Sequence, residues 1–147
     1  MQKALRSKIV EILTHTNDMT IATLRPDGWP QATTVSYVSD GLDIYFVTGM
    51  DSQKAHNLAR NGKVSLTVDR PYKDWNEISG LSLAGVAARV TAADEIAHIG
   101  KLIAKKFPQT TDLAMTEDSL AFFRIKPKVV SLLDYSKGFG HTDTLTV

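Results

Sequence analysis

Two hydroxyls and one cation fall close together in the stretch VTGMDSQK: Thr48, Ser52 and Lys54. The residues before them, Leu42 to Val47, alternate as an extended, largely buried strand would. Gly49 breaks that pattern and permits a positive φ. Asp51 or Ser52 can then cap a helix by accepting from the free N–H groups of its first turn. Ala55, Leu58 and Ala59 recur at helical spacing, and Asn61-Gly62 supplies a left-handed stop. A strand–turn–helix junction turns unpaired amides and the positive end of the helix dipole toward whatever lies above it. Amides, hydroxyls and an ammonium converging at one point suit a phosphomonoester. The same spacing also describes an ordinary capped helix with a solvated lysine.

The elements that must hold this junction are readable in order. Residues 2–14 carry an apolar stripe of Leu5, Ile9, Ile12 and Leu13, as an amphipathic helix does. Met19 to Leu24 reads as a strand, Pro26-Asp27-Gly28 as a turn, and Gln31 to Val38 as a second strand. Asp40-Gly41 signals a hairpin into Leu42 to Val47, the third strand. Lys63 to Asp69 alternates as a fourth strand. Residues 70–79 form a polar loop with Tyr72 and Trp75, and Leu81 to Val90 is a fifth strand. Thr91-Ala92-Ala93-Asp94 has the form of a capping box opening a second amphipathic helix on Ile96, Ile99, Leu102 and Ile103. Lys105 and Lys106 are expected at its solvated end. Residues 109–118 read as loop, and Lys126-Pro127 divides two last strands, Leu120 to Ile125 and Val129 to Leu133. The tail after them reads as irregular. Antiparallel strands with few helices close most easily into a barrel.

Composition bounds the function. A chain of 147 residues, 43% hydrophobic and 22% charged, has the makings of one globular domain spanning 1–147. A net charge of +1 offers no electrostatic footing for nucleic acid or an anionic membrane. With no cysteine there is no disulfide, thiolate metal site or cysteine nucleophile, which fits a reducing cytoplasm. No segment is long and apolar enough to span a bilayer, and the start lacks a signal-peptide core. His15, His56 and His98 have no partners at metal-ligand spacing, so no metal is expected.

Three stretches resemble the pyridoxamine 5'-phosphate oxidase-like flavoproteins, the FMN-binding split barrels. They are MTIATLRPDGWPQATTVSYVSDG, IYFVTGMDSQKAHNLARNGKVSLTV and AFFRIKPKVVSLLD. The resemblance implies a mainly β fold with inserted helices, an antiparallel, Greek-key-like split barrel, and a homodimer with FMN at its interface. Carried over position by position, Thr48, Ser52, Gln53 and Lys54 would hold the flavin phosphate. Thr33, Thr34 and Val35, on the strand paired with strand three, would line the isoalloxazine ring; Trp75, whose neighbours Arg70, Tyr72 and Lys73 read as a polar pocket rim, is a further candidate contact. The implied reaction is hydride transfer through flavin between a small molecule or NAD(P)H and an acceptor. No catalytic side chain is assigned.

The chain departs from the vitamin-pathway oxidases of that family in two places. They carry an arginine near the start of the second strand, where this chain has Gln31, Ala32 and Thr33. Phosphate binding then leans on Lys54, or on Arg25 or Arg60. They also end in a tryptophan-and-arginine segment, whereas this chain ends in KGFGHTDTLTV. Oxidation of pyridoxine phosphate is therefore not expected. The other implied reading is a non-catalytic protein that binds or stores flavin, haem or a deazaflavin, in a stress-related role. His141 reads as a substrate-facing group or as a solvated terminal histidine. Trp29 and Trp75 read as ligand cover or as packing.

Overall fold

The computed structural model describes residues 2–109 and 117–147. Eight strands make one sheet: β1 (Asp18–Leu24), β2 (Pro30–Ser36), β3 (Val38–Asp40), β4 (Asp43–Gly49), β5 (Lys63–Asp69), β6 (Ser79–Val90), β7 (Leu120–Asp134) and β8 (Thr142–Thr146). The helices are α1 (Gln2–His15), α2 (Gln53–Arg60) and α3 (Ala93–Lys106). Strand order is β2-β1-β5-β6-β7-β4-β3, with β8 also paired to β7. Every ladder is antiparallel. Among the described residues no helix is long and apolar enough to cross a membrane. The loop expected over 109–118 lies, from 110 to 116, outside the described residues.

The sheet curls as a half-barrel around one core. Ile9 and Leu13 of α1 meet Ile21, Ile44, Val68 and Ile125 there. Phe46 of β4 stacks on Phe123 of β7, centroids 5.3 Å apart. A second cluster lies on the outside of β4, where Ile99 of α3 covers Val38, Tyr45 and Val90. So β4 buries both faces. The Arg124–Glu95 ion pair and a 2.9 Å contact from His98 Nε2 to Asp40 Oδ2 tie α3 down. The expected capping box does not form: Ala92 is the cap, and Asp94 Oδ1 accepts from its neighbour Glu95 N instead.

Three expectations about strands need correction. The second strand is two, because Tyr37 turns inward between them. Its ring is buried, its hydroxyl donates to Leu13 O at 2.8 Å, and its N–H donates to Asn17 O. Consequently Thr33, Thr34 and Val35 pair with β1, not with β4, and β2 closes one edge of the sheet. Next, Lys126-Pro127 does not divide a strand. β7 runs unbroken, and the register against β6 shifts at Ala84/Gly85, a bulge that absorbs the proline's missing N–H. Gly85 is required there, since a Cβ would lie 2.7 Å from Lys126 O. Finally, the tail is not irregular: Thr142–Thr146 pairs with β7.

The turn leading into β8 is tightly organised. Gly138 and Gly140 take φ of 138° and 71°, and the Asp134 carboxylate accepts from the Ser136 amide and hydroxyl. His141 is half-buried and bonds Asp143 at 3.1 Å, which Lys137 also approaches. The Ser136 bonds hold Asp134 below its usual 3.8, and His141 and Lys137 do the same for Asp143. A depressed carboxyl stabilises the fold above its unfolded value and loses that contribution as pH falls through its folded one. In a Trp29→Phe background, Trp75 fluorescence should therefore change below pH 3.8 while the far-ultraviolet dichroism holds. Asp134→Asn should flatten that transition.

Candidate functional site

The junction between β4 and α2 folds as its residues dictate. Ser52 is the cap, extended at φ −67° and ψ 153°, and its Oγ accepts from Ala55 N at 3.1 Å. The same oxygen lies 3.1 Å from Thr48 Oγ1. One hydroxyl therefore joins the strand end to the helix start. Gly49 does not use a positive φ; the turn is closed by Ser52 N donating to Gly49 O. Nor does Asn61 make a left-handed stop, since it is extended at φ −146° and its Oδ1 accepts from Lys63 N. Gly62 serves close approach instead, for a Cβ there would meet Ala87 O at 2.5 Å. Ser52→Ala should cost about 1 kcal/mol of stability, read from urea unfolding.

Lys54 is half-buried on the first turn of α2, and burial pulls its pKa down. No acid or hydrogen-bond acceptor among the described residues pairs with it. Gln53 points its amide along the helix, donating to Asn57 Oδ1 at 2.8 Å. Asn57 is fully buried and donates to Thr23 Oγ1 at 3.0 Å and Gln31 Oε1 at 3.1 Å. The sequence reading missed it, giving Ala59 the buried side that Asn57 takes; Ala59 is exposed. Its only signal was its place next to Leu58 on the face that packs.

That network fastens α2 to the start of β2, two residues before Thr33 on the same face. The Thr33 hydroxyl is buried with no partner among the described residues. Val35 packs against the core, while Thr34 points to the opposite face, 3.4 Å from Thr20 Oγ1. A cavity of about 490 Å³ opens between the end of β2, β4 and α3. Ser36, Tyr37, Phe46, Thr48, Ile103 and Phe107 are among its walls. It starts one residue beyond the expected Thr33–Val35 stretch and reaches Thr48. Asn17, Asp18 and Gln109 add polar groups to it, and its size and its mix of aromatic and polar walls suit a small organic ligand.

Other candidates are placed elsewhere. Trp75 sits in a 3₁₀ turn before β6, at the end where Ser79 pairs with Asp134. Thr48 pairs with Ala121 at the other end of β7, so one protomer does not bring Trp75 to the Lys54 cluster. Arg25 is engaged with Asp27 in the β1–β2 turn, and Gln31 with Asn57. Lys106 is not a solvated helix end. It donates to Thr16 O and Tyr37 O and lies 3.9 Å over the Tyr37 ring, where burial lowers its pKa to about 8. Among the described residues no group of three His, Cys, Asp or Glu could hold a metal.

Solved structures with this fold include a haem-binding protein from Mycobacterium smegmatis, at 22% identity and TM-score 0.78 over 96% of this chain; the match spans 56% of that one. The haem storage protein HutZ from Vibrio cholerae matches at 20% and 0.73, covering 92% of this chain and 97% of that one. An FAD-binding protein from Mesorhizobium loti matches at 19% and 0.69, covering 86% and 91%. No curated protein sequence matches. The family model described as pyridoxamine 5'-phosphate oxidase matches residues 5–134, nearly the whole chain, and the chain therefore belongs to that family, whose split-barrel fold it shows.

Proposed function

We propose that this chain is an FMN-dependent oxidoreductase, acting as a homodimer on a small molecule. One observation carries the reading: Lys54, a half-buried cation without an acid partner among the described residues, two positions after Ser52, whose hydroxyl lies 3.1 Å from that of Thr48, a wall of the cavity. A cation kept partly out of water without a counter-charge is a cost to the fold, and a dianionic phosphate would offset it. The residues present fit the group. Lys54, Ser52, Thr48 and the first amides of α2 would hold the phosphate. The unpartnered Thr33 hydroxyl and the open edge of β2 would meet polar atoms of the ring. Bound flavin supplies the hydride chemistry; the chain's own residues bind it, orient it and exclude water. The family assignment supports flavin, and a cytoplasmic site of action accords with a chain free of cysteine.

Haem binding or storage without turnover is the second reading, supported by the two haem-protein neighbours. An absorbance spectrum of the purified protein separates the two. Flavin maxima bleached by NADH or NADPH under argon support the oxidoreductase; a Soret band with no flavin overturns it.

A further inference from the structure

We propose that Lys106 is a reactive amine at one end of the cavity between β2, β4 and α3, placed to form an imine with a small aromatic aldehyde or ketone seated there. Neither flavin nor the residues assigned to its phosphate enter into this.

The first observation is where the nitrogen stands. Lys106 is the last residue of α3, and its side chain reaches the corner where Tyr37 turns inward. Nζ donates to Thr16 O at 2.6 Å and to Tyr37 O at 3.0 Å. It lies 3.9 Å from the centre of the Tyr37 ring and 5.6 Å from that of Phe107. Tyr37 and Phe107 are both walls of the cavity, as are Asn17 and Asp18, which follow Thr16 in the chain. The amine therefore borders one end of a space of about 490 Å³. It is half-buried, neither sealed nor fully in water.

The second observation is what holds it. Both acceptors are backbone carbonyls, and among the described residues no carboxylate lies within ion-pair distance. Asp18, which accepts from Ser36 Oγ at 2.9 Å, is the acid whose field reaches it. The Tyr37 hydroxyl donates to Leu13 O and stays protonated, since burial pushes its pKa up. An ammonium has three hydrogens to place, an amine only two. Loss of the proton therefore leaves both carbonyls bonded and frees a lone pair. Burial accordingly lowers the Lys106 pKa to about 8. At pH 7 roughly a tenth of the side chain is then free amine, a few hundredfold more than for a lysine in water. Lysines partly stripped of water beside an apolar pocket are the ones that make imines.

The walls select the carbonyl compound. Tyr45, Phe46 and Phe107 suit a flat ring, and Asn17, Ser36 and Gln109 can meet its polar substituents. The chain has no thiol to compete for the carbonyl carbon. The Lys106 lone pair attacks that carbon, a C–N bond forms, and the C=O π pair moves to oxygen. The oxygen gains a proton as the nitrogen loses one. Water then leaves with the nitrogen's remaining hydrogen, and C=N results. One water is released, and nothing is oxidised or reduced. A protonated imine would keep one N–H for the carbonyls and its charge facing Asp18.

Reductive labelling of the full chain tests this. The probe is 4-hydroxybenzaldehyde at pH 7 with sodium cyanoborohydride, which fixes an imine as a secondary amine. Peptide mass mapping should find Lys106 modified at least roughly tenfold faster than Lys105, its exposed neighbour on α3. Excess 4-hydroxybenzyl alcohol fills the same space and forms no imine. It should slow Lys106 and leave Lys105 alone. Lys106→Arg, whose guanidinium still has donors for both carbonyls, should remove the fast reaction with unchanged dichroism, and Lys105→Arg should retain it. Equal rates at the two lysines, or a Lys106 reaction that the alcohol does not slow, would overturn the proposal. FMN titration of the same samples keeps the two readings apart. Fast labelling of Lys106 in a chain that takes up no FMN removes the oxidoreductase and leaves this site; FMN uptake with Lys106 no faster than Lys105 does the reverse.

Discussion

Lys54→Ala should weaken FMN binding by about 1.5–3 kcal/mol, roughly tenfold to a hundredfold in Kd, the worth of a hydrogen bond to a charged group. Quenching of flavin fluorescence gives the number directly. The same variant should bind riboflavin as the wild type does, because riboflavin has no phosphate for the ammonium to meet. Stability should move the other way. Burial lowers the Lys54 pKa in the folded chain, so at pH values where the lysine is charged it costs the ligand-free fold something. That cost is relieved as pH rises through the folded value. At neutral pH, Lys54→Met should leave the ligand-free unfolding midpoint unchanged or raise it. A cation that burdens the empty fold and serves the ligand is the pattern expected of a binding residue. Equal losses of FMN and riboflavin affinity would mean that Lys54 acts on the pocket's shape and not on the phosphate.

The legible part of this chain was the part governed by local chemistry. Ser52 followed by Ala55 and Leu58 specifies a capped helix whatever surrounds it, and the structure builds it there. Pro26-Asp27-Gly28 and Asp40-Gly41 likewise made turns, with Gly28 and Gly41 at positive φ. What misled were residues whose role is set by distant partners. Tyr37 reads as one more strand residue, and only the carbonyl of Leu13 explains why the chain turns inward there. Pro127 reads as a break, because the bulge at the neighbouring Lys128 that lets β7 run past it is set only by the register with β6. The tail reads as irregular since its glycines come first, whereas β8 is decided by the free edge of β7. At the site, Thr48, Ser52 and Lys54 were legible because they are neighbours in sequence. The cavity walls at Tyr37, Ile103 and Phe107 were not, for they meet only through the packing of α3.

Asn57 is the largest of these omissions and carries the second strong expectation. It is the fully buried polar hinge between α2, β1 and β2, giving its two amide hydrogens to Thr23 and Gln31 and taking one from Gln53. Asn57→Ala should cost about 2–3 kcal/mol, since it removes those bonds and leaves their partners buried and unpaired. Asn57→Asp should cost more, because it buries a carboxylate and keeps no donor for Thr23 or Gln31. Urea unfolding measures both. Pairing Asn57→Ala with Thr23→Val should recover part of the loss, as a stranded acceptor disappears with its donor; strict additivity would show that the two side chains do not act together. The network also fixes where α2 starts relative to β2. Asn57→Ala should therefore weaken FMN and riboflavin alike, in contrast to Lys54→Ala. The comparison divides the site into a charge that grips one end of the ligand and a buried amide that keeps the two walls in register.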